Sequence, residues 1–170
     1  MLYRTLYPSP LGTMILISDE ASLKGAWFKN QKYEQAKINN NEVKDMPNSI
    51  LNQTINWLDR YFNQEKPSIK ELPLDPIGTP FQKEVWHILC HIPYGTTLTY
   101  GMIADMINQK TGKKLGGQPV GQAVGHNPIS IIIPCHRVIG SNGSLTGYAG
   151  GIDKKIKLLQ LEGVHLENIA

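Results

Sequence analysis

The chain has 170 residues, of which 41% are hydrophobic, and its formal net charge at pH 7 is +3. That length fits one large domain or two small ones, and the positive excess lies entirely in residues 80–170, a weak indication of a polyanionic partner. Two cysteines make no disulfide framework, and the chain shows neither the apolar core of a signal peptide nor a stretch approaching the roughly 20 apolar residues of a membrane span, so we expect a soluble, reduced, cytoplasmic protein.

The N-terminal part of the chain predicts a sheet followed by a helix. Ser49–Phe62 carries apolar residues at helical spacing. The preceding segment 32–47 is polar and Asn-rich, with little to bury, and Pro67–Gly78 is predicted to be an extended linker. Three β-prone segments separated by turns predict antiparallel strands: Leu2–Tyr7, Thr13–Ser18 and Ser22–Phe28.

The rest of the chain predicts short helices. Thr79, Pro80 and Gln82 form the pattern of a capping box with proline at the first helical position. Helices are then predicted at Thr99–Asn108 and Pro119–Val124, and a terminal helix at Ile152–Glu162 is stopped by Gly163. The middle two are joined by a lysine-rich, glycine-containing segment at Lys110–Gly117, and two short helices joined in this way are typical of a helix-turn-helix.

The segment Ile131–Val138 places a thiol, an imidazole and a guanidinium directly after a β-branched stretch that ends at Pro134. It predicts a cysteine nucleophile at the end of a strand, since a neighbouring His or cation favours the thiolate. Adjacent side chains on a straight strand point to opposite faces, so Cys135 and His136 can cooperate only if the chain turns after Pro134. A buried, inert Cys135 is the alternative, although the polar pair that follows is a poor core composition.

The spacing of the residues around the two cysteines bears on two other kinds of site, a phosphatase loop and a zinc site. A phosphatase loop would close with an arginine several residues after the cysteine, whereas Arg137 follows too soon and position 141 is Ser. His87, Cys90 and His91 could join Cys135 in a zinc site. That spacing is generic, and a packed Cys90 with surface histidines is the simpler interpretation, so no metal is predicted.

Several motifs in order resemble the O6-alkylguanine-DNA alkyltransferase family. The sequence PCHRV at 134–138 is similar to the family's active-site signature, and FQKEVWHILCHIPYGTTLTY at 81–100 to its entry segment. Asn127-Pro128, the loop Thr146–Gly151 and Leu161-Glu162-Gly163 match its hinge, lesion pocket and C-terminal motif. The resemblance implies an α+β/α protein: an antiparallel-sheet, ribonuclease H-like α/β domain at 1–78, and a mostly helical DNA-binding and alkyl-acceptor domain with a helix-turn-helix at 79–170.

The resemblance also implies the reaction and its residues. Such proteins move the alkyl group of O6-alkylguanine in DNA irreversibly to their own cysteine, here Cys135, and O4-alkylthymine is a second candidate substrate. His136 would take the thiol proton through a water, and Glu162 would orient the imidazole, although a solvated helix-end carboxylate would equally explain Glu162. Tyr100 would donate a hydrogen bond to guanine N3, and Asn127 would brace the backbone before the cysteine.

The remaining implied roles concern the base and the DNA. Arg137 is expected to be structural, and Lys155 to favour proton donation, although a solvated helix face also explains a lysine there. Small residues in the predicted recognition helix, Gly121 among them, would permit close approach to the minor groove after the base has flipped. Gln118 stands where many relatives have an arginine that fills the gap of the flipped base, which predicts weaker and less salt-dependent DNA binding. Tyr148 would form a wall of the lesion pocket, and backbone groups near Cys135, Val138 and Ala149 would contact the edge of the guanine.

The expected partner is double-stranded DNA containing O6-alkylguanine, bound by a monomer without a cofactor and away from membranes. Three alternatives remain open. The chain could be a non-catalytic lesion binder of the same fold, although such relatives lack the cysteine. It could be a transcription regulator that senses alkylation of Cys135, for which 170 residues leave little room. It could be a thiol or zinc hydrolase, which would leave the helix-turn-helix unexplained.

Overall fold

The structure is a computed structural model that describes residues 1–32, 34–35, 37–145 and 147–166. Its chain divides into two compact units. The first comprises Met1–Gly78 together with Pro128–Ile132, and the second comprises Thr79–Asn127 and the chain that follows from Ile133. The first unit therefore takes in five residues that the predicted domain boundary placed with the second.

The first unit contains a mixed sheet of four strands: β1 Leu2–Ser9, β2 Gly12–Ser18, β3 Leu23–Phe28 and β4 Val43–Lys44. Their order across the sheet is β3-β2-β1-β4. The neighbours β1–β2 and β2–β3 are antiparallel, which confirms the three predicted strands, whereas β4 runs parallel to β1. The purely antiparallel sheet expected from the sequence is corrected by this fourth strand, which has two residues and is too short to show a periodicity.

Helix α1, Ser49–Phe62, packs on this sheet with the predicted bounds. It begins where the Asn48 side chain accepts a hydrogen bond from the Leu51 backbone N–H, because a free N–H at a helix start needs such a partner. Leu51 and Leu58 on its inner face are fully buried. Burial of this apolar face stabilises the helix more than its intrinsic propensity does.

The predicted linker Pro67–Gly78 is part of the first unit's packing. The Leu23 N–H of β3 donates to the Pro73 carbonyl at 2.7 Å, and the Asp75 N–H donates back to the Leu23 carbonyl at 2.9 Å. Prolines are tolerated in a segment that pairs with an edge strand, because only some of its residues need to donate a backbone hydrogen bond. The segment is extended, as predicted, but it is packed rather than free.

The predicted strand at Ile131–Ile133 is wrong. Only Ile129 makes a bridge to the sheet, opposite Ala26, and Ile131 adopts a φ of 71°. A β-branched residue in the left-handed region is strained and cannot continue a strand. Residues 131–133 are all buried, so their apolar character reflects burial within a turn and not membership of a strand.

The second unit is mostly helical. The capping box at its first helix is confirmed: the Gln82 N–H donates to Thr79 Oγ1 at 3.1 Å, and the Thr79 N–H donates to Gln82 Oε1 at 3.0 Å. A short turn joins helix α3, Tyr100–Thr111, to helix α4, Gly117–Gly125, as predicted for a helix-turn-helix. None of the helices in the described ranges is long and apolar enough to cross a membrane. The elements are α2 Pro80–Leu89, β5 Leu98–Thr99, α3 Tyr100–Thr111, α4 Gly117–Gly125, β6 Val138–Ile139 and α5 Ile152–Leu161.

Candidate active site

The segment that carries the thiol is a single 3-10 turn, Cys135–Arg137, which leads directly into β6. Strand β6 pairs in parallel with β5, which leads directly into α3. This pairing holds the first residue of α3, Tyr100, near the turn. The tight turn, rather than a strand end, sets the directions of the consecutive side chains Cys135 and His136.

Asn127 fixes the backbone immediately before Cys135. Its Nδ2 donates a hydrogen bond to the Ile133 carbonyl at 2.8 Å, and the Cys135 N–H donates to the same carbonyl at 2.8 Å. The Asn127 side chain also forms a hydrogen bond with Cys135. Asn127 is buried, so these bonds compete little with water. The Asn127 side chain therefore contacts both the backbone before the turn and the thiol, which is the position that the predicted bracing role requires.

His136 and Glu162 form a buried pair. His136 Nε2 lies 2.7 Å from Glu162 Oε2, and both side chains are 0% exposed. A carboxylate can only accept a hydrogen bond, so Nε2 carries the proton and donates it to Glu162. His136 Nδ1 is buried and has no hydrogen-bond partner among the described residues. In the neutral imidazole, Nδ1 therefore presents a lone pair that can accept a proton.

Arg137 contacts the same carboxylate, a link that the sequence did not indicate. Its Nε donates to Glu162 Oε1 at 2.8 Å and its Nη2 donates to Glu162 Oε2 at 3.0 Å. The guanidinium is itself held by the Ile92 carbonyl, which accepts from Nη1 at 2.7 Å. The Gly95 N–H donates to Glu162 Oε1 at 3.1 Å. Spacing could not have assigned Arg137 or Gly95 to the carboxylate, because their partner lies 25 and 67 residues away.

These contacts determine the charges at the site. Burial acts to raise the pKa of Glu162, but the hydrogen bonds and charges of His136 and Arg137 outweigh it and hold that pKa well below its usual range. Burial lowers the pKa of His136, against the opposing effect of Glu162. At neutral pH the site thus contains an ionised Glu162, balanced by Arg137, and a neutral His136 able to act as a base.

The environment of Cys135 contains opposing influences. Burial raises the pKa of its thiol and outweighs the Asn127 hydrogen bond and the positive charge of Lys155, which lower it, so that this pKa lies above its ordinary value. Lys155 is 0% exposed, so the alternative interpretation of this lysine as part of a solvated helix face is wrong. Burial lowers the pKa of Lys155 to about 8, and the charge of Cys135 acts in the opposite direction. A buried ammonium near the sulfur favours the thiolate.

We expect Lys155→Met to slow the reaction of Cys135 with iodoacetamide at pH 7, because the nearby ammonium would be lost. The ratio of variant to wild-type rate should rise towards one as the pH passes through about 8, where the wild-type lysine itself becomes neutral. Rates are measured by mass spectrometry in a Cys90→Ser background, so that only Cys135 reacts. A ratio that stays constant from pH 6.5 to 9.5 would contradict a charge effect of Lys155.

Tyr100 lies between α4 and the loop before α5. A Cβ atom added at Gly121 would lie 3.7 Å from the Tyr100 ring, and one added at Gly147 would lie 3.6 Å from its Oη. Burial, followed by the charge of Cys135, raises the pKa of Tyr100 to about 12. Ala123 of α4 is buried, and its carbonyl accepts a hydrogen bond from Trp86 Nε1 at 2.8 Å. The small residues Gly121 and Ala123 therefore allow α4 to pack within the protein, in addition to any approach to DNA.

The other predicted pocket residues occupy several positions in the second unit. Val138 is fully buried at the start of β6, directly after the cysteine turn. Tyr148 and Ala149 lie half-buried in the loop that leads into α5, while Thr146, also part of the predicted pocket loop, lies outside the described residues. Gln118 is exposed in the first turn of α4.

The alternative zinc site is not assembled. Among the described residues, no three His, Cys, Asp or Glu side chains gather where they could hold a metal ion. His87 and His91 contact each other edge to face, with ring centroids 4.7 Å apart. Burial raises the pKa of Cys90 to about 11, which disfavours the thiolate that a metal would need.

Comparison with known proteins places the whole chain in one family. Residues 80–164 match the DNA-binding domain of 6-O-methylguanine DNA methyltransferase, and residues 2–76 match its ribonuclease-like domain. The methylated-DNA–protein-cysteine methyltransferase of Methanosarcina acetivorans is 43% identical over 95% of this chain and 99% of its own. The enzyme of the same name from Haemophilus influenzae is 40% identical over 96% of this chain and 87% of its own.

The crystal structure of Mycobacterium tuberculosis OGT in complex with DNA has a TM-score of 0.82 and 39% identity, covering 94% of this chain and 92% of that one. These matches confirm the resemblance and the fold class that the sequence motifs indicated, and the chain belongs to the 6-O-methylguanine DNA methyltransferase family.

Proposed function

We propose that this protein repairs DNA by transferring the alkyl group of O6-alkylguanine to Cys135 in one irreversible turnover. The observation that carries the proposal is the buried set formed by Cys135, His136 and Glu162, within a domain that matches the family's DNA-binding domain. In it a nucleophile stands beside a neutral base, and the base is oriented by an ionised carboxylate.

The first step activates the thiol. His136 Nδ1 accepts the Cys135 proton through a bridging water, while Nε2 continues to donate to Glu162. The resulting imidazolium is stabilised by the Glu162 carboxylate, and the thiolate is stabilised by Lys155 and by the hydrogen bond from Asn127. The resting thiol stays protonated because burial raises its pKa, and the soft thiolate forms as His136 removes the proton.

The second step is an in-line displacement at the alkyl carbon. A bond forms between Cys135 Sγ and that carbon while the bond from the carbon to O6 breaks, and its electron pair leaves with guanine. Tyr100 stabilises the departing base by donating a hydrogen bond to guanine N3. Its raised pKa of about 12 keeps the phenol protonated, and so able to donate, throughout the physiological range. The product thioether is not reversed by thiol exchange, so each molecule acts once.

The base must leave the DNA stack to reach a cysteine that is only 5% exposed. In our proposal the monomer places α4 in the minor groove, Gln118 hydrogen-bonds the orphaned cytosine, and Tyr148 forms a wall of the lesion pocket. Backbone groups near Val138 and Ala149 contact the edge of the guanine. Minor-groove contact suits a repair protein, because the minor groove carries little sequence information.

We expect Gln118→Arg to strengthen binding to duplex DNA, because Gln118 is exposed and an arginine that fills the gap of the flipped base would add one positive charge close to the phosphates. The slope of log affinity against log salt concentration should steepen by about 0.9, the contribution of one phosphate contact. Fluorescence anisotropy between 50 and 200 mM salt measures both quantities. Equal affinities and slopes for variant and wild type would contradict the assigned position of Gln118.

A labelling experiment tests the proposed function directly. The protein is incubated with duplex DNA that carries a labelled methyl group on O6 of one guanine, and the label is located by peptide mass spectrometry. We expect one equivalent on Cys135 and restored guanine in the DNA. Binding without transfer would instead indicate a lesion-binding protein. Absence of both binding and transfer would favour a hydrolase that does not act on DNA.

A further inference from the structure

Helix α4 contains no charged side chain. Its nine residues, GQPVGQAVG, include no acidic residue in the first turn and no basic residue in the last. Phosphate neutralisation by Lys and Arg supplies most of the sequence-independent affinity of proteins for DNA. If α4 enters the minor groove, as the proposed function requires, the cations that neutralise phosphates must come from another element.

A cationic segment directly precedes α4. Residues 110–116, KTGKKLG, contain three lysines and no acidic residue, and we call this segment the basic turn. The side chains of Lys110, Lys113 and Lys114 are all exposed. They account for three of the eight Lys and Arg residues in residues 80–170. The basic turn therefore concentrates positive charge beside the first turn of α4.

The structure holds the basic turn in a defined shape. Asn108 bonds to Leu115 twice: its Nδ2 donates to the Leu115 carbonyl at 2.9 Å, and its Oδ1 accepts from the Leu115 N–H at 2.8 Å. Gly112 ends α3 with a φ of 74°, a conformation that other residues adopt only with strain. The Lys113 N–H donates to Thr111 Oγ1 at 3.3 Å. These bonds order the backbone before any DNA arrives, so less conformational entropy is lost on binding.

We propose that the basic turn is a phosphate-binding site for duplex DNA and supplies the charge that α4 lacks. Its lysines contact the backbone beside the site where α4 enters the minor groove. These contacts position the protein without reading sequence. The inference rests on the proposed function, because that function makes duplex DNA the partner.

A charge-matched pair of variants tests this site. In one, Lys110, Lys113 and Lys114 are all replaced by Gln. In the control, the exposed lysines of the first unit Lys29, Lys44 and Lys70 are replaced by Gln instead. Each variant lowers the formal net charge from +3 to 0. Both carry Cys135→Ser, and their binding to an unmodified 20-base-pair duplex is measured between 50 and 200 mM salt, with circular dichroism to verify folding.

We expect the basic-turn variant to bind at least about tenfold more weakly at 50 mM salt, with a salt slope shallower by about 2 to 3, as the loss of two or three phosphate contacts requires. The control should keep the parental slope. An unchanged slope in the basic-turn variant, or an equal loss in both variants, would overturn the proposal. Methyl transfer by the wild-type protein is judged separately, so failure of the proposed function and failure of the basic turn give different results.

Discussion

Cys135→Ser is expected to abolish methyl transfer while leaving the affinity for duplex DNA unchanged. The hydroxyl of serine ionises far less readily than a thiol, and burial at this position opposes ionisation further. The neutral His136 is too weak a base to generate an alkoxide, although it suffices for a thiol. Transfer is measured as label retained on protein after a single turnover, and affinity by anisotropy with unmodified duplex.

Cys90→Ser is the matched control, since Cys90 is the other cysteine of the chain. Burial raises its pKa to about 11, and it lies at the C-terminal end of α2, so it should take no part in the reaction. This variant should still accept one equivalent of methyl. Label in the Cys135→Ser protein, or loss of label from the Cys90→Ser protein, would place the acceptor elsewhere.

Glu162→Gln is expected to slow methyl transfer at pH 7 by about 100-fold or more, the usual contribution of a positioned general base. The amide of Gln can donate to His136 Nε2, which would shift the imidazole proton to Nδ1. An Nδ1 that already carries a proton cannot accept the proton of Cys135. The defect should shrink as the pH approaches the pKa of the thiol, because hydroxide then replaces the base. Single-turnover rates from pH 6 to 10 test this.

The same substitution should lower the free energy of unfolding by about 3–5 kcal/mol, because the Arg137 guanidinium would lose the negative charge of its buried partner. Rates are therefore compared at a temperature where circular dichroism shows both proteins folded. Glu162→Asp is the control that keeps the charge, and it should retain more activity than Glu162→Gln at pH 7. A folded Glu162→Gln protein with the wild-type rate at pH 7 would exclude the proposed role.

Stability should also respond to acid through this carboxylate. The pKa of Glu162 is lower in the folded protein than the ordinary 4.5, so its contribution to stability is present above pH 4.5 and is lost as the pH falls below that value. His136 acts in the same direction. Its folded-state pKa lies below the ordinary 6.5, so the unfolded chain binds a proton more readily than the folded protein, and the free energy of unfolding decreases as the pH falls below 6.5.

Local signals predicted most of the fold. The capping box of Thr79 and Gln82 and the apolar spacing within Ser49–Phe62 depend on residues a few positions apart, and both features were recovered from sequence. The strand expected at Ile131–Ile133 failed because an apolar run does not distinguish a strand from a buried turn. The two-residue β4 is specified by its parallel partner β1, some forty residues away, and so left no local pattern.

The candidate site was only partly predictable for the same reason. Cys135 and His136 are adjacent in sequence, and their chemistry is visible there. The pairing with Glu162 came from family resemblance, and the contact of Arg137 with that carboxylate required the structure. Lys155 illustrates the limit most clearly, since a lysine among lysines on a helix indicates solvent, yet it is fully buried.

The segment Pro128–Ile132 has a consequence for synthesis of the protein on the ribosome. Ala26 of β3 donates its N–H to the Pro128 carbonyl and accepts from the Ser130 N–H, both at 2.8 Å. These partners are translated about a hundred residues after Ala26 itself, so in the nascent first unit the part of the β3 edge around Ala26 is unpaired, although Leu23 can already pair with Pro73 and Asp75. Unpaired strand edges promote aggregation, so we expect the nascent chain to be most prone to aggregation before residue 132 has left the exit tunnel. A fragment that ends at Gly78 would keep this part of the edge exposed permanently, so the first unit is completed only after residue 132 has been translated.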